Sequence, residues 1–174
     1  MPIADCGFPP VNLVPGTGTP TIPAQVVLGP DALITKGPTT AVEIGFDPGL
    51  FHTDPSKVQA AIAAINVPSP TPKLIEALID TGARESCIDE DLAVQLQLPM
   101  IDRVDGSGIG GTEKFNVYLG HIRITALGLL EYGRFLGVKL RAGKQPHQAL
   151  LGRTIFRQMI LVYDGRDGTV RLAV

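Results

Sequence analysis

The chain has 174 residues, 44% of them apolar and 18% charged, with a formal net charge of −2. Such a composition belongs to a globular chain, and the length suits one domain with a full core, burying roughly 70% of the surface exposed when unfolded. With no basic excess to grip phosphates and 5% aromatic residues to stack bases, nucleic acid is not an expected partner.

Thirteen of the fifteen prolines fall within residues 1–72. Residues 1–40 therefore read as an extended, turn-rich N-terminal extension, in which "PPVNLVPGTGTPTIPAQVVLGP" has no room for a helix and Val26–Leu28 suits a short strand. The opening "MPIADCGFPP" has neither a basic patch nor an apolar core, so no signal peptide is expected. No run approaches the ~18 apolar residues of a membrane span. Cys6 and Cys87 are far apart, with no histidine at ligand spacing. That argues against a disulfide framework or a metal site, and for two reduced thiols in a cytoplasmic protein.

The domain proper is expected over 41–174. "AVEIGFD" (41–47) is its first strand. A helical insertion over 52–70 follows: Asp54 is a cap, Pro55 suits the first turn, and Val58, Ala61, Ile62 and Ile65 fall on one face. Residues 73–80 form a strand that ends on an aspartate. Asp89 is placed to cap a second short helix, "EDLAVQLQL", closed by Pro99. The remainder reads as β: "EKFNVYLGHIRITAL", "RFLGVKLRA", "HQALLG" and a hairpin around "YDGRDGTV". The fold class is thus mainly β, a closed barrel or sandwich with two short helices.

Asp80-Thr81-Gly82 is by itself only a turn signal. Its setting adds more. An apolar strand enters Asp80-Thr81-Gly82-Ala83; a short strand and helix follow; "GSGIGGTEKF" (106–115) leads into a β run; and "ALLGR" (149–153) stands near the C-terminus. This order resembles the retropepsin-like aspartic proteases, in particular small bacterial relatives of the retroviral enzymes, over roughly residues 40–174.

The resemblance implies a closed β-barrel-like acid-protease fold with a dimeric active site, and an endopeptidase that needs no metal or organic cofactor. Asp80 would be the catalytic carboxylate. One Asp-Thr-Gly is present, so two chains would pair about a twofold axis and each would give one Asp80. Thr81 would bond across that axis, Gly82 would let the backbone turn beside the substrate, and Ala83 would leave room next to the carboxylate. Gly108, Ile109, Gly110 and Gly111 would form the flap. Leu150, Leu151 and Gly152 would thread behind the catalytic loop, and Arg153 would make polar contacts near the interface. Partners would be a second copy and a peptide or protein substrate, with no membrane. The family often carries an acidic residue after the alanine; Arg84 and then Glu85 stand here, which bears on substrate contacts and ion pairing.

Other readings compete with this one. Gly106, Gly108 and Gly111 satisfy G-x-G-x-x-G but lead into a β run rather than a helix, so dinucleotide binding is not expected. Ser86 or Ser107 with His121 lacks a nucleophile elbow, and His52, His121 and His147 read as surface or half-buried residues. Cys87 reads as small apolar filler. A dimerisation or peptide-binding module with weak or no turnover is the alternative function. Self-processing of the proline-rich arm is a further possibility.

Overall fold

Alternation of side chains decides the central strands. In the computed structural model, which describes residues 2–8, 11–14, 25–47, 71–108 and 111–174, β4 (Thr39–Gly45) turns Thr40, Val42 and Ile44 inward, and β5 (Lys73–Ile79) turns Ile75, Ala77 and Ile79 inward. The two pair antiparallel from Thr39↔Leu78 to Ile44↔Lys73. Each period of two leaves one face for water and one for the core.

Around them a barrel closes. With β6 (Ser86–Asp89), β8 (Gly111–Ile124), β9 (Leu129–Val138) and β10 (Ala149–Leu151), the strand order is β4-β5-β10-β6-β9-β8. β8 returns to β4 through Glu43↔Arg123, Ile44↔Ile122 and Gly45↔His121. A seventh strand, β7 (Met100–Gly108), hangs from β8 as a hairpin. Phe135, Ile44, Ile88, Ile122 and Leu151 fill the interior and are fully buried. Side chains of this size each stabilise the fold by roughly 1.5–3 kcal/mol through burial. The mainly β, closed-barrel architecture expected from the sequence is the one observed.

A second sheet joins the two ends of the chain. β1 (Ile3–Asp5) pairs with β12 (Thr169–Ala173), which pairs with β11 (Ile160–Asp164). The "YDGRDGTV" turn forms as expected: the Asp164 carboxylate accepts the Arg166 N–H, that of Asp167 accepts the Thr169 N–H, and Gly168 takes φ +80°. Ala4 and Cys6 are core residues, and Cys6 N–H donates to the Val170 carbonyl at 2.8 Å. β2 (Val11–Val14) and β3 (Gln25–Leu28) form a separate two-stranded ribbon.

The structure corrects the sequence reading at four points. Residues 29–36, read as extended, form helix α1 (Gly29–Lys36). Pro30 lies in its first turn, where its missing N–H costs nothing; Asp31 and Lys36 suit the two ends of the dipole, and Gly37 closes it at φ +73°. The helix expected over 90–98 is α2 (Glu90–Gln95), but Asp89 does not cap it. That carboxylate is buried and accepts the Arg141 N–H at 2.9 Å, so it ties down the 139–145 loop instead. A further short helix, α3 (Arg153–Phe156), follows β10. His121 and His147 are both buried rather than half-exposed. The expected 52–70 insertion and His52 lie outside the described residues. No helix among the described residues is long and apolar enough to cross a membrane.

His121 sits in the seam that closes the barrel. Its Nε2 is 3.7 Å from Glu43 Oε1, too long for a hydrogen bond, and both ring nitrogens lack a hydrogen-bond partner. The Tyr132 ring stands edge-on with its centroid 6.0 Å away. Burial is the main cause that holds the imidazole below its usual pKa; Arg123 adds to it, while Glu43 and Asp47 oppose it. Folded His121 thus resists the proton that the unfolded chain accepts near pH 6.5. Stability is full above that value and falls as pH drops towards the folded pKa. Thermal melts from pH 7.5 to 5.0 should show the wild type losing stability relative to His121→Gln; parallel curves would contradict this.

Candidate functional site

The candidate centre forms where β5 ends. Its inward face carries the chain to Ile79, whose N–H donates to the Pro38 carbonyl at 2.8 Å, and the next residue is Asp80. Asp80 N–H donates to the Leu151 carbonyl at 2.9 Å. Its Oδ1 accepts the N–H groups of Gly82 at 2.9 Å and Ala83 at 3.1 Å. One carboxylate oxygen thereby folds the turn, which is the job any aspartate could do there. The other oxygen takes no hydrogen bond among the described residues, and the residue is only half-buried.

The loop from 80 to 86 is held from behind by the "ALLGR" segment. β10 lies between β5, to which it runs parallel (Leu150↔Leu78, Leu151↔Ile79), and β6, to which it runs antiparallel (Ala149↔Ile88, Leu150↔Cys87). Past the strand the contacts continue rung by rung. Gly152 N–H donates to Ser86 Oγ at 3.0 Å, Arg153 N–H to the Ala83 carbonyl at 3.0 Å, and Thr154 N–H to the Arg84 carbonyl at 3.1 Å. The Arg153 guanidinium then reaches over the turn, and its Nη1 donates to the carbonyls of Thr81 and Gly82, both at 2.8 Å. The carboxylate is fixed by neighbours that are themselves fixed, as a preorganised site requires. Thr81 and Gly82 are exposed to solvent.

Beside the turn opens a cleft of about 660 Å³. Its apolar floor is Val104, Phe115, Val117, Leu136 and Val138; Gly82, Ala83 and Arg84 form one edge. The β7–β8 hairpin supplies Val104, Asp105, Gly106, Phe115 and Val117 to this lining and is in register from Met100↔Tyr118 to Gly108↔Gly111 with one irregularity at Ile101. Gly106 leaves room for the Phe115 ring, which a Cβ there would meet at 2.7 Å. Ile109 and Gly110, at the expected flap tip, lie outside the described residues. Gly106, Gly108 and Gly111 thus occupy two antiparallel strands rather than the strand-to-helix turn a dinucleotide motif needs.

Three residues outside the quoted motif bear on the site. Ser86 is buried and its hydroxyl accepts from Gly152. Cys87 lines the cleft; burial, then the Asp80 charge, then Glu85 push its thiol up to about 11, so it is not a thiolate nucleophile at neutral pH. Arg134, from β9, reaches the same cleft. No periodicity or spacing links any of these to Asp80, because each arrives from another strand. Among the described residues no three His, Cys, Asp or Glu side chains gather as a metal site would require.

No protein-family model and no curated protein matches the sequence. Eleven chains of solved structures match it. One is the EIAV protease complexed with the inhibitor HBY-793, at 22% identity over 69% of this chain and 85% of that one, with a TM-score of 0.41.

Proposed function

We propose that the protein is a retropepsin-like aspartic endopeptidase that works as a homodimer. The observation that carries this reading is Asp80 itself: a carboxylate at a strand end, beside a peptide-sized cleft, with one oxygen locked by Gly82 and Ala83 and the other unengaged. Two such groups about 3 Å apart cannot both ionise cheaply, so a pair would hold one proton between them. The ionised member would take a proton from water while the protonated member donates to the scissile carbonyl oxygen. The resulting tetrahedral diol would collapse as a proton passes to the leaving nitrogen and the C–N bond breaks. The residues present supply the acid and the base, and no step calls on a metal or an organic cofactor.

One chain offers one Asp-Thr-Gly, so the second carboxylate must come from a second copy. Thr81 and Gly82, which are exposed, would meet it, and the β7–β8 hairpin would cover a bound peptide. A dyad sharing one proton works at acidic to near-neutral pH. Two free thiols fit a reducing, cytoplasmic setting. The proline-rich residues 1–40 are a candidate substrate for self-cleavage.

The second reading is a dimerisation or peptide-binding module with little turnover, which would use the same cleft. Sedimentation of the purified protein, with and without a statine peptide, tests the first. A dimer of twice 18.4 kDa, strengthened by the peptide, is expected. A strictly monomeric chain at assay concentration would end the dyad proposal. A stable dimer indifferent to the statine would favour the module.

A further inference from the structure

The charges around the cleft are unequally answered. Three arginines line it, Arg84, Arg134 and Arg153, against two carboxylates, Glu85 and Asp105. Arg134 is committed to Asp102, with Nη2 3.0 Å from Oδ2. Arg84 touches Glu85 at 3.3 Å, but its side chain is 83% exposed and the pair is screened by water. Arg153 spends its Nη1 on two neutral carbonyls. No carboxylate among the described residues lies within ion-pair distance of it.

These two cations belong to one wall. Arg153 N–H and Thr154 N–H bond the carbonyls of Ala83 and Arg84 on consecutive rungs, so both arginines leave backbone that is locked to the catalytic turn. Asp105 comes from the β7 side of the cleft. The floor between is apolar. The cleft thus has a greasy bed and a cationic margin next to the aspartate, with guanidinium groups whose planar donor forks suit a carboxylate.

We infer that the cleft selects peptides in which an apolar residue at the scissile bond is accompanied, within three residues, by an aspartate or glutamate that docks on Arg84 and Arg153. Arg153 Nη1 sits on the carbonyls of Thr81 and Gly82, one and two residues beyond Asp80, and an extended peptide advances roughly 3.3 Å per residue, so the acidic residue is sought within three residues of the scissile bond. This inference rests on the proposed peptide hydrolysis for its substrate class, and the experiment separates the two.

The test digests a proteome-derived peptide library and reads the cleavage sites by mass spectrometry, for the wild type, Arg84→Ala and Arg84→Glu. In parallel, two statine peptides that differ only by glutamate or glutamine at the enriched position are titrated against each protein. For the wild type, a preference of roughly tenfold for the acidic member at low salt is expected, falling as salt screens it. It should shrink in Arg84→Ala, and Arg84→Glu should turn it towards lysine. Cleavage without acidic enrichment, and equal affinity for the two statines, would overturn the inference and leave hydrolysis standing. Tighter binding of the glutamate statine without any cleavage would uphold the acidic preference and overturn hydrolysis. Absence of both cleavage and binding would overturn both. An acidic preference unchanged in Arg84→Glu, or a shift in the monomer–dimer balance with an unchanged cleavage profile, would also refute the assignment to Arg84.

Discussion

Asp80→Asn is expected to lower peptide cleavage by about a thousandfold or more while leaving the melting temperature close to that of the wild type. The substitution separates the two jobs the residue does. An asparagine oxygen still accepts from the N–H groups of Gly82 and Ala83, so the turn survives. What disappears is the ability to hold or release a proton, and with it the shared proton of the proposed dyad. Asp80→Ala is the harsher change, because the two turn bonds go as well, at about 0.5–1.5 kcal/mol each before solvent compensates. A built-in reporter accompanies the assay. The Asp80 charge is the second cause of the raised Cys87 pKa, after burial. Neutralising it should lower that pKa and speed alkylation of Cys87 near pH 9, with Cys6 buried and slow. Wild-type cleavage rates in purified Asp80→Asn would leave Asp80 as a turn residue and nothing more.

How much of this was legible in advance depends on whether the signal was local. The alternation over 73–79, the Asp-Gly pairs at 164–168 and the helix after Asp89 each occupy a few consecutive residues, and the structure keeps all three. Pro30 was misread because proline both breaks helices and starts them, and only the packing of Ala32 and Leu33 decides which. Asp89 looked like a cap because a helix begins beside it; its partner, the Arg141 N–H, lies 52 residues away. The closure of the barrel through Glu43–Gly45 and Arg123–His121, and the gathering of Arg84, Cys87, Arg134 and Arg153 at one cleft, are likewise non-local. Strand pairing across such separations leaves no period in a sequence. The candidate carboxylate could be found because its turn chemistry is local; the arginine margin needed the fold.

Gly152→Ala tests the fold's hold on the site. The backbone at 152 has φ −87°, which alanine tolerates, so conformational freedom is not the reason for glycine here. Space is. A Cβ would stand 2.4 Å from the Glu85 carbonyl oxygen, 2.5 Å from its carbon and 2.8 Å from the Arg84 oxygen. All three are backbone atoms, so no rotamer change relieves the clash, and the 149–154 segment must withdraw from the 80–86 loop. The bonds from Gly152 to Ser86, Arg153 to Ala83 and Thr154 to Arg84 lengthen together. Overpacking of this kind costs about 1–3 kcal/mol or more, and a chain of this size loses roughly 2–4 °C of melting temperature per kcal/mol. Under the proposed mechanism cleavage should fall further than stability does, because Arg153 bonds the Asp80 turn and the Leu151 carbonyl accepts the Asp80 N–H. Gly133→Ala is the control: a Cβ there meets nothing within 4 Å, and wild-type stability is expected. If Gly152→Ala melts with Gly133→Ala and cleaves at the same rate, the threaded segment does not hold the loop, and the rigidity ascribed to Asp80 must come from the turn alone.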